Sequence, residues 1–306
     1  MLSVKNNSHQ WINIVKPTLK DVAVLKKKFK FHKLDLEDCL QGSQRPKIDE
    51  YESYLFIILQ FPLYNKRHRR FETEQLNIFI GQNYLITIHD DNLPIIKKIF
   101  EKCKRAPKTR EQFFGHSTGY LLYELIKALF EATFPITDKI EKSLKRIESD
   151  IFEATHPKDQ LFNIMLIKKN IISLRKIMLP QRSVVAALEH KQKRFLPEHL
   201  VIYFDDIVDK IEKIWGILET QKEVIESLED TNESLLSHNI NSTMKTLTVF
   251  SAIMLPLTFL TGLFGMNVKL PFVQAMEKID HFYMISIIML TLIVVMFSVF
   301  KWKKWL

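Results

Sequence analysis

The spacing of apolar positions changes twice along this chain, and each change predicts a different kind of element. In the first hundred residues the pattern is short and mixed. Tyr54-Leu-Phe-Ile-Ile-Leu-Gln-Phe61 is an apolar run of strand length, rich in β-forming residues. Gln75-Leu-Asn-Ile-Phe-Ile80 and Tyr84-Leu-Ile-Thr-Ile-His89 flank Gly81-Gln-Asn83, the layout of a hairpin. Asp90-Asp-Asn-Leu-Pro94 offers capping residues for a helix over Ile95-Ile-Lys-Lys-Ile-Phe100. These signals predict a small α/β domain over residues 1–118. A helical region is expected over 119–196, with a break near Thr155-His-Pro157 and a stop near Pro180.

After Pro197 the pattern lengthens. No proline follows until Pro256, and Gly216 is the only glycine before Gly262. Leu200, Phe204, Ile207, Ile211, Ile214, Leu218, Gln221, Ile225 and Leu228 alternate steps of four and three, a heptad seam with one polar member, Gln221. A helix running on to about Gly265 has roughly 69 residues and reaches about 100 Å at 1.5 Å each. No single globule contains a helix of that length, so residues 197–245 are expected to form a stalk.

The third pattern is unbroken hydrophobicity. Between Lys245 and Lys269 lie 23 residues without a charge, and Phe282–Phe300 supplies 19 more. About 20 apolar residues cross the hydrocarbon core, so two membrane spans are expected, at 246–265 and 282–301. A pair of buried core helices is the alternative, but Phe282–Phe300 has no polar face. Residues 266–281 then form an external loop and 302–306 a basic tail. Lys301, Lys303 and Lys304 follow the second span, whereas the loop sets Lys269 and Lys278 against Glu277 and Asp280. The positive-inside rule therefore places both termini in the cytoplasm, with Trp302 and Trp305 as interfacial anchors and the plasma (inner) membrane as the location. The N-terminus lacks the apolar segment of a secretory signal.

Composition narrows the chemistry. The net charge of +9 is scattered along the chain rather than gathered on one helix, which argues against nucleic acid and fits attraction to lipid headgroups. Cys39 and Cys103 stand far apart with no Cys-x-x-Cys pairing, so neither a disulfide nor a zinc site is expected. The histidines form no His-x-x-x-His or His-Glu-x-x-His pair, and there is no nucleophile elbow or phosphate-binding glycine loop. An enzyme is therefore disfavoured, as is a pump driven by ATP hydrolysis in this chain.

A second periodic face runs further down the same helix. Asp230, Ser234, Ser237, Asn241, Met244, Thr248, Ser251, Leu255, Thr258 and Gly262 also step by four and three. This face is offset from the hydrophobic seam by two residues, about 200° around the helix. It is small and polar with apolar rungs at Met244 and Leu255, and Leu247 beside it adds a third. Small residues with Ser and Thr also make ordinary helix–helix contacts in membranes. Continuity into the acidic cluster of Glu226, Glu229, Asp230 and Glu233 favours an aqueous path instead. Two spans cannot enclose a hole, so a pore needs several copies about an axis.

The residues along this face carry a resemblance. Asn241-Ser-Thr-Met-Lys-Thr-Leu-Thr248, Leu255-Pro-Leu-Thr-Phe-Leu-Thr-Gly262, Phe264-Gly-Met-Asn267 and the terminal Lys-Lys-Trp-Leu resemble the CorA family of magnesium and cobalt channels. Gln44-Arg-Pro-Lys47 and Glu74-Gln75 extend the similarity to the α/β domain. The resemblance implies an α+β or α/β cytoplasmic domain, a very long stalk helix and two transmembrane helices, assembled as a funnel-shaped homopentamer. It implies a selectivity ring of Gly265, Met266 and Asn267. It makes Asp230, Asn241, Thr258 and Gly262 pore-lining and Met244, Leu247 and Leu255 hydrophobic constrictions. No prosthetic group is implied; Mg²⁺ is the substrate and also a regulatory ligand.

Two departures from the family pattern bear on ion and regulation. Family members bind cytoplasmic divalent ions between subunits, and Asp206 and Asp209 match the acidic positions of that site. Tyr64 or Asn65 is aligned where the partner aspartate is expected, which leaves Asp38, Asp49 or Asp90 as substitutes. The usual Met-Pro-Glu-Leu after the tripeptide is replaced by Val268-Lys-Leu-Pro-Phe272, so Lys269 stands where negative charge would help. A zinc-transporting branch usually alters the methionine of the tripeptide, so Met266 points to magnesium. The competing expectations are a zinc, nickel or cobalt transporter on the same fold, and a membrane-tethered sensor or scaffold that conducts nothing.

Overall fold

The run at 54–61 is apolar at nearly every position because the strand it forms is covered on both faces. In the computed structural model, which describes all residues except 43, 116, 154–156, 191–195, 267–277, 304 and 306, β4 spans Leu55–Asn65. Leu55, Ile57 and Leu59 enter one hydrophobic cluster, and Phe56 and Ile58 enter another on the opposite face. Alternate residues of a strand point to opposite faces, so a sheet between two apolar layers needs apolar residues throughout.

The chain divides into two compact units, Met1–Glu229 and Asp230–Leu306. In the first, β1 (Leu2–Asn6), β2 (His9–Val15), β3 (Lys47–Glu50), β4, β5 (Arg70–Ile80) and β6 (Tyr84–His89) form a sheet of order β1-β2-β6-β5-β4-β3. Only the β2–β6 pairing is parallel. The hairpin expected around Gly81 is the β5–β6 connection, closed by the Gly81 amide donating to the Tyr84 carbonyl at 3.0 Å. A side chain at Gly81 would lie 2.5 Å from the Tyr84 ring, so any larger residue there would have to displace that ring. β1 and β2 were not resolved as strands by the sequence pattern alone.

Helices α1 (Leu19–Phe29) and α2 (Lys33–Asp38) border the smaller cluster, with Leu25 and Leu36 packed against Ile12, Ile14 and Phe79. The larger cluster joins the other face of the sheet to α3 (Pro94–Arg105), α4 (Pro107–Phe114), α5 (Thr118–Glu131), α6 (Phe134–Phe152), α7 (Pro157–His190) and the start of α8. Two local expectations are corrected. The N-cap of α3 is Leu93, which has no side-chain cap bond, and the Asn92 side-chain amide donates to Glu74. Pro180 does not stop a helix: α7 runs through it. The proline itself is exposed, while Ile177, Met178, Val184 and Val185 around it are buried. The Gln181 side chain donates to the Ile177 carbonyl at 3.0 Å, and it is the packing around the proline that carries the helix past the missing amide.

Helix α8 is continuous from Val201 to Phe264, with Pro256 inside it. Every position of the expected seam from Leu200 to Leu228 is buried, Gln221 included. α7 and α8 run antiparallel, tied by Arg182–Glu212, Arg175–Glu219 and Lys168–Glu229 ion pairs. The Arg175 guanidinium also lies 4.9 Å from the Trp215 ring centre. Gln221 donates to the Thr137 carbonyl at 2.9 Å, leaving its own carbonyl oxygen buried without a partner.

The second unit holds the remainder of α8 and α9 (Lys278–Trp302). Both helices are long and apolar enough to cross a membrane, and their apolar windows are 6% and 0% buried. Core helices of that composition would be covered by their own chain, and these two are not.

Candidate functional site

The site is a face of one helix. All ten members of the stripe, Asp230, Ser234, Ser237, Asn241, Met244, Thr248, Ser251, Leu255, Thr258 and Gly262, lie on α8 within the second unit. All ten are exposed in the single chain, as is Leu247. Between residues 246 and 264 only Val249 and Leu257 are buried. Leu255 is 73% exposed, so nothing in its own chain covers this rung. Phe250, Met254 and Phe259 on other sides of the helix are exposed as well, as expected of surfaces that meet lipid or other helices.

Hydrogen bonding gives the polar rungs a direction. The Thr248 hydroxyl donates to the Met244 carbonyl at 2.8 Å, and that of Thr258 to the Met254 carbonyl at 2.9 Å. Their hydrogens are thus turned into the helix and their oxygen lone pairs remain available as acceptors. A hydrated cation presents water hydrogens outward, so acceptors are what it can use.

The helix closes just before the tripeptide. Its last residue is Phe264, and the Gly265 amide donates to the Thr261 carbonyl at 2.9 Å. A Cβ at position 265 would sit 2.9 Å from that same carbonyl oxygen, which real Cβ contacts essentially never do. Glycine there is a steric requirement of the helix end. Met266 is exposed and its amide reaches the Leu263 carbonyl at 3.4 Å. Asn267 lies outside the described residues, as do Lys269 and Glu277 of the expected external loop.

The acidic candidates fall elsewhere in the fold. Asp206 and Asp209 are near the start of α8, in the first unit. Both Asp206 oxygens accept from the Lys210 ammonium at 2.7 Å, and Asp209 is exposed. The i,i+4 spacing of Asp206 and Lys210 was a readable signal of this pair. Among the described residues no three His, Cys, Asp or Glu side chains gather to hold a metal ion. Asp206 and Asp209 suit a hard cation chemically but do not complete a site within one chain.

The three substitute carboxylates are already engaged or dispersed. Lys47 bridges Asp38 at 2.9 Å and Asp49 at 2.7 Å. Burial works against the charged Lys47, but the bonded Asp49 and Asp38 outweigh it and raise its pKa. Asp90 borders a small polar cavity with Glu74, Gln75, Asn77 and His89. Burial raises the Glu74 pKa against the opposing bond from Asn92, and burial lowers that of His89. Asn65 is committed to the β4–β5 turn and Tyr64 is exposed beside it.

A sheet domain continuous with a 64-residue helix, whose distal part carries an exposed acceptor-bearing face, and a second apolar helix of membrane length are the parts of a protein built to cross a membrane. The chain belongs to the family described as CorA-like Mg2+ transporter protein, whose model matches residues 6–304. It is 30% identical over 298 residues to the cobalt/magnesium transport protein CorA of Thermotoga maritima, covering 97% of this chain and 83% of the relative. It is 24% identical over 225 residues to the zinc transport protein ZntB of Pectobacterium atrosepticum, covering 74% and 66%. The complete structure of the CorA magnesium transporter from Methanocaldococcus jannaschii has the same fold, with a TM-score of 0.86 at 23% identity, over all of this chain and 94% of that one.

Proposed function

We propose that this divalent metal-ion transporter is a passive channel for Mg²⁺, and for Co²⁺ by the same route, built from five copies around one axial pore. The observation that carries this reading is one face of α8, polar and small with three apolar rungs, exposed along its whole length and leading without a break to Gly265 and Met266. Five such faces turned toward an axis line the path with Asp230, Ser234, Ser237, Asn241, Thr248, Ser251, Thr258 and Gly262. Met244, Leu247 and Leu255 form constrictions that close by dewetting. Gly265, Met266 and Asn267 form the outer ring. Mg²⁺ gives up its water reluctantly, so amides and carbonyls there select the hydrated ion, where carboxylates would hold it too long.

Both termini lie in the cytoplasm of a plasma-membrane protein, and the cytoplasmic parts assemble as a funnel. The membrane potential drives uptake: about 2.3 kcal/mol per charge per 100 mV, hence about 4.6 for a divalent ion. No prosthetic group takes part, and Mg²⁺ is both cargo and regulatory ligand. Asp206 and Asp209 contribute to regulation with carboxylates from a neighbouring copy, in competition with Lys210. A zinc substrate is the second reading, favoured by the ZntB relative and by Lys269 at the entrance.

The test is uptake into liposomes followed with dyes for Mg²⁺, Co²⁺ and Zn²⁺, comparing the native chain with Asn267→Ala. The expected result is Mg²⁺ and Co²⁺ flux in the native chain and a loss of more than about tenfold in the variant. Equal flux in both removes the ring from the mechanism. Zinc flux alone establishes the second reading. No flux of any divalent ion, or a monomer or dimer by mass in detergent, overturns the channel.

A further inference from the structure

Away from the stripe, a dense group of cations occupies the tip of the β4–β5 hairpin. Lys66-Arg-His-Arg-Arg70 places four formal positive charges and a histidine in consecutive, exposed positions. The turn is firmly built. The Asn65 side-chain oxygen accepts the amide hydrogens of Arg67 at 3.0 Å and His68 at 3.2 Å, and its amide donates to Glu72 at 3.0 Å. Arg69 has a positive φ of 51°, stabilised from outside the hairpin. Its carbonyl accepts from Asn170 on α7 at 3.2 Å, and the same Asn170 accepts the Phe71 amide hydrogen at 3.2 Å. The Arg69 guanidinium lies 5.9 Å from the Phe162 ring centre.

This anchoring puts the cations beside an apolar surface that the chain leaves open. Phe162 is 56% exposed, and Leu161 and Met165 next to it on α7 are also exposed. Clustered like charges repel, so an anionic partner is favoured at such a tip. Among the described residues the only carboxylate ion-paired with the tip is Glu72, through Arg70. Guanidinium and ammonium groups next to Phe, Leu and Met match the boundary of an anionic bilayer, with phosphates for the cations and the acyl edge for the apolar side chains.

We propose that the β4–β5 tip, together with Phe162, docks on the anionic phospholipid headgroups of the membrane that anchors the chain. The inference rests on the membrane location alone and is independent of the pore and of the ion carried.

Cys39 and Cys103 are both buried, so a His68→Cys variant of the full-length protein can be labelled at the tip with an environment-sensitive fluorophore. The labelled protein is placed in nanodiscs of phosphatidylcholine alone or mixed with phosphatidylglycerol, each with a trace of nitroxide-headgroup lipid as quencher. Quenching about twofold stronger in the anionic discs, reversed by molar salt, is expected. It should vanish when Lys66, Arg67, Arg69 and Arg70 are all changed to Gln. A Phe162→Ser variant keeps every charge and should lose part of the effect, which separates docking from misfolding of the turn. Equal quenching in neutral and anionic discs overturns the proposal. So does a label shielded equally in lipid-free detergent, which assigns the tip to a second copy of the chain.

Discussion

Helix α8 carries two faces with the same four-and-three spacing, and their fates differ completely. From Leu200 to Leu228 the spaced residues are buried against α5, α6 and α7 of the same chain. From Asp230 to Gly262 the spaced residues are exposed. Periodicity establishes that a helix has a distinct face; it does not say what covers that face. In the first stretch the covering elements are encoded in the same chain. In the second the chain offers only α9, and the stripe is left for other copies or for solvent. Ile214 and Leu255 make the contrast concrete, since one is fully buried and the other largely exposed on one continuous helix.

Substitutions at matched positions test this contrast. Ile214→Ala should destabilise the first unit by about 2–5 kcal/mol, through lost burial and the cavity left behind. The readout is thermal unfolding in detergent followed by circular dichroism, with a midpoint lower by roughly 5–15 °C. A change below a degree would mean that the seam is not the core of that unit. Gln221→Leu probes the one polar member of the seam. It removes a buried carbonyl oxygen that has no partner, at the loss of one bond to Thr137, and completes the apolar row. The midpoint should rise, by an amount equivalent to about 1 kcal/mol. A fall would show that the Thr137 bond, as a register device between α6 and α8, outweighs the orphaned oxygen. Leu255→Ala should have the smallest effect on stability, within about 0.5 kcal/mol, because the side chain is uncovered in its own chain. Its effect should appear in flux, as a raised leak in the liposome assay. Leu255→Ala destabilising as much as Ile214→Ala would erase the distinction between the two faces.

Much of this was legible in the residues because the signals were local and repeated. The seam, the two apolar spans, the β5–β6 hairpin and the apolar run of β4 each state one periodicity over many positions, and each is found in the fold. The misread points were single residues whose partners come from elsewhere. Pro180 reads as a stop, yet α7 continues because its neighbours Ile177, Met178, Val184 and Val185 are packed. Asp90 to Asn92 read as caps, yet the N-cap position falls on Leu93, which has no side-chain cap bond. At Asp206, proposed above as a regulatory position, Lys210 one turn later holds both oxygens within the single chain, a pair that the i,i+4 spacing already signals. The stripe was visible as a pattern, and the inward bonds of Thr248 and Thr258 that orient its acceptors were not.

The sequence by itself determined the long helix, its two faces, the membrane-length stretches and the Gly-Met-Asn motif that carries the family resemblance. These depend on spacing and transfer energy, which a linear string records completely. Only the tertiary structure decided which face is buried, why position 265 must be glycine and where the basic tip of β4–β5 is anchored. Each of those depends on atoms from other turns or elements brought within a few ångströms, and that information exists only once the chain has folded.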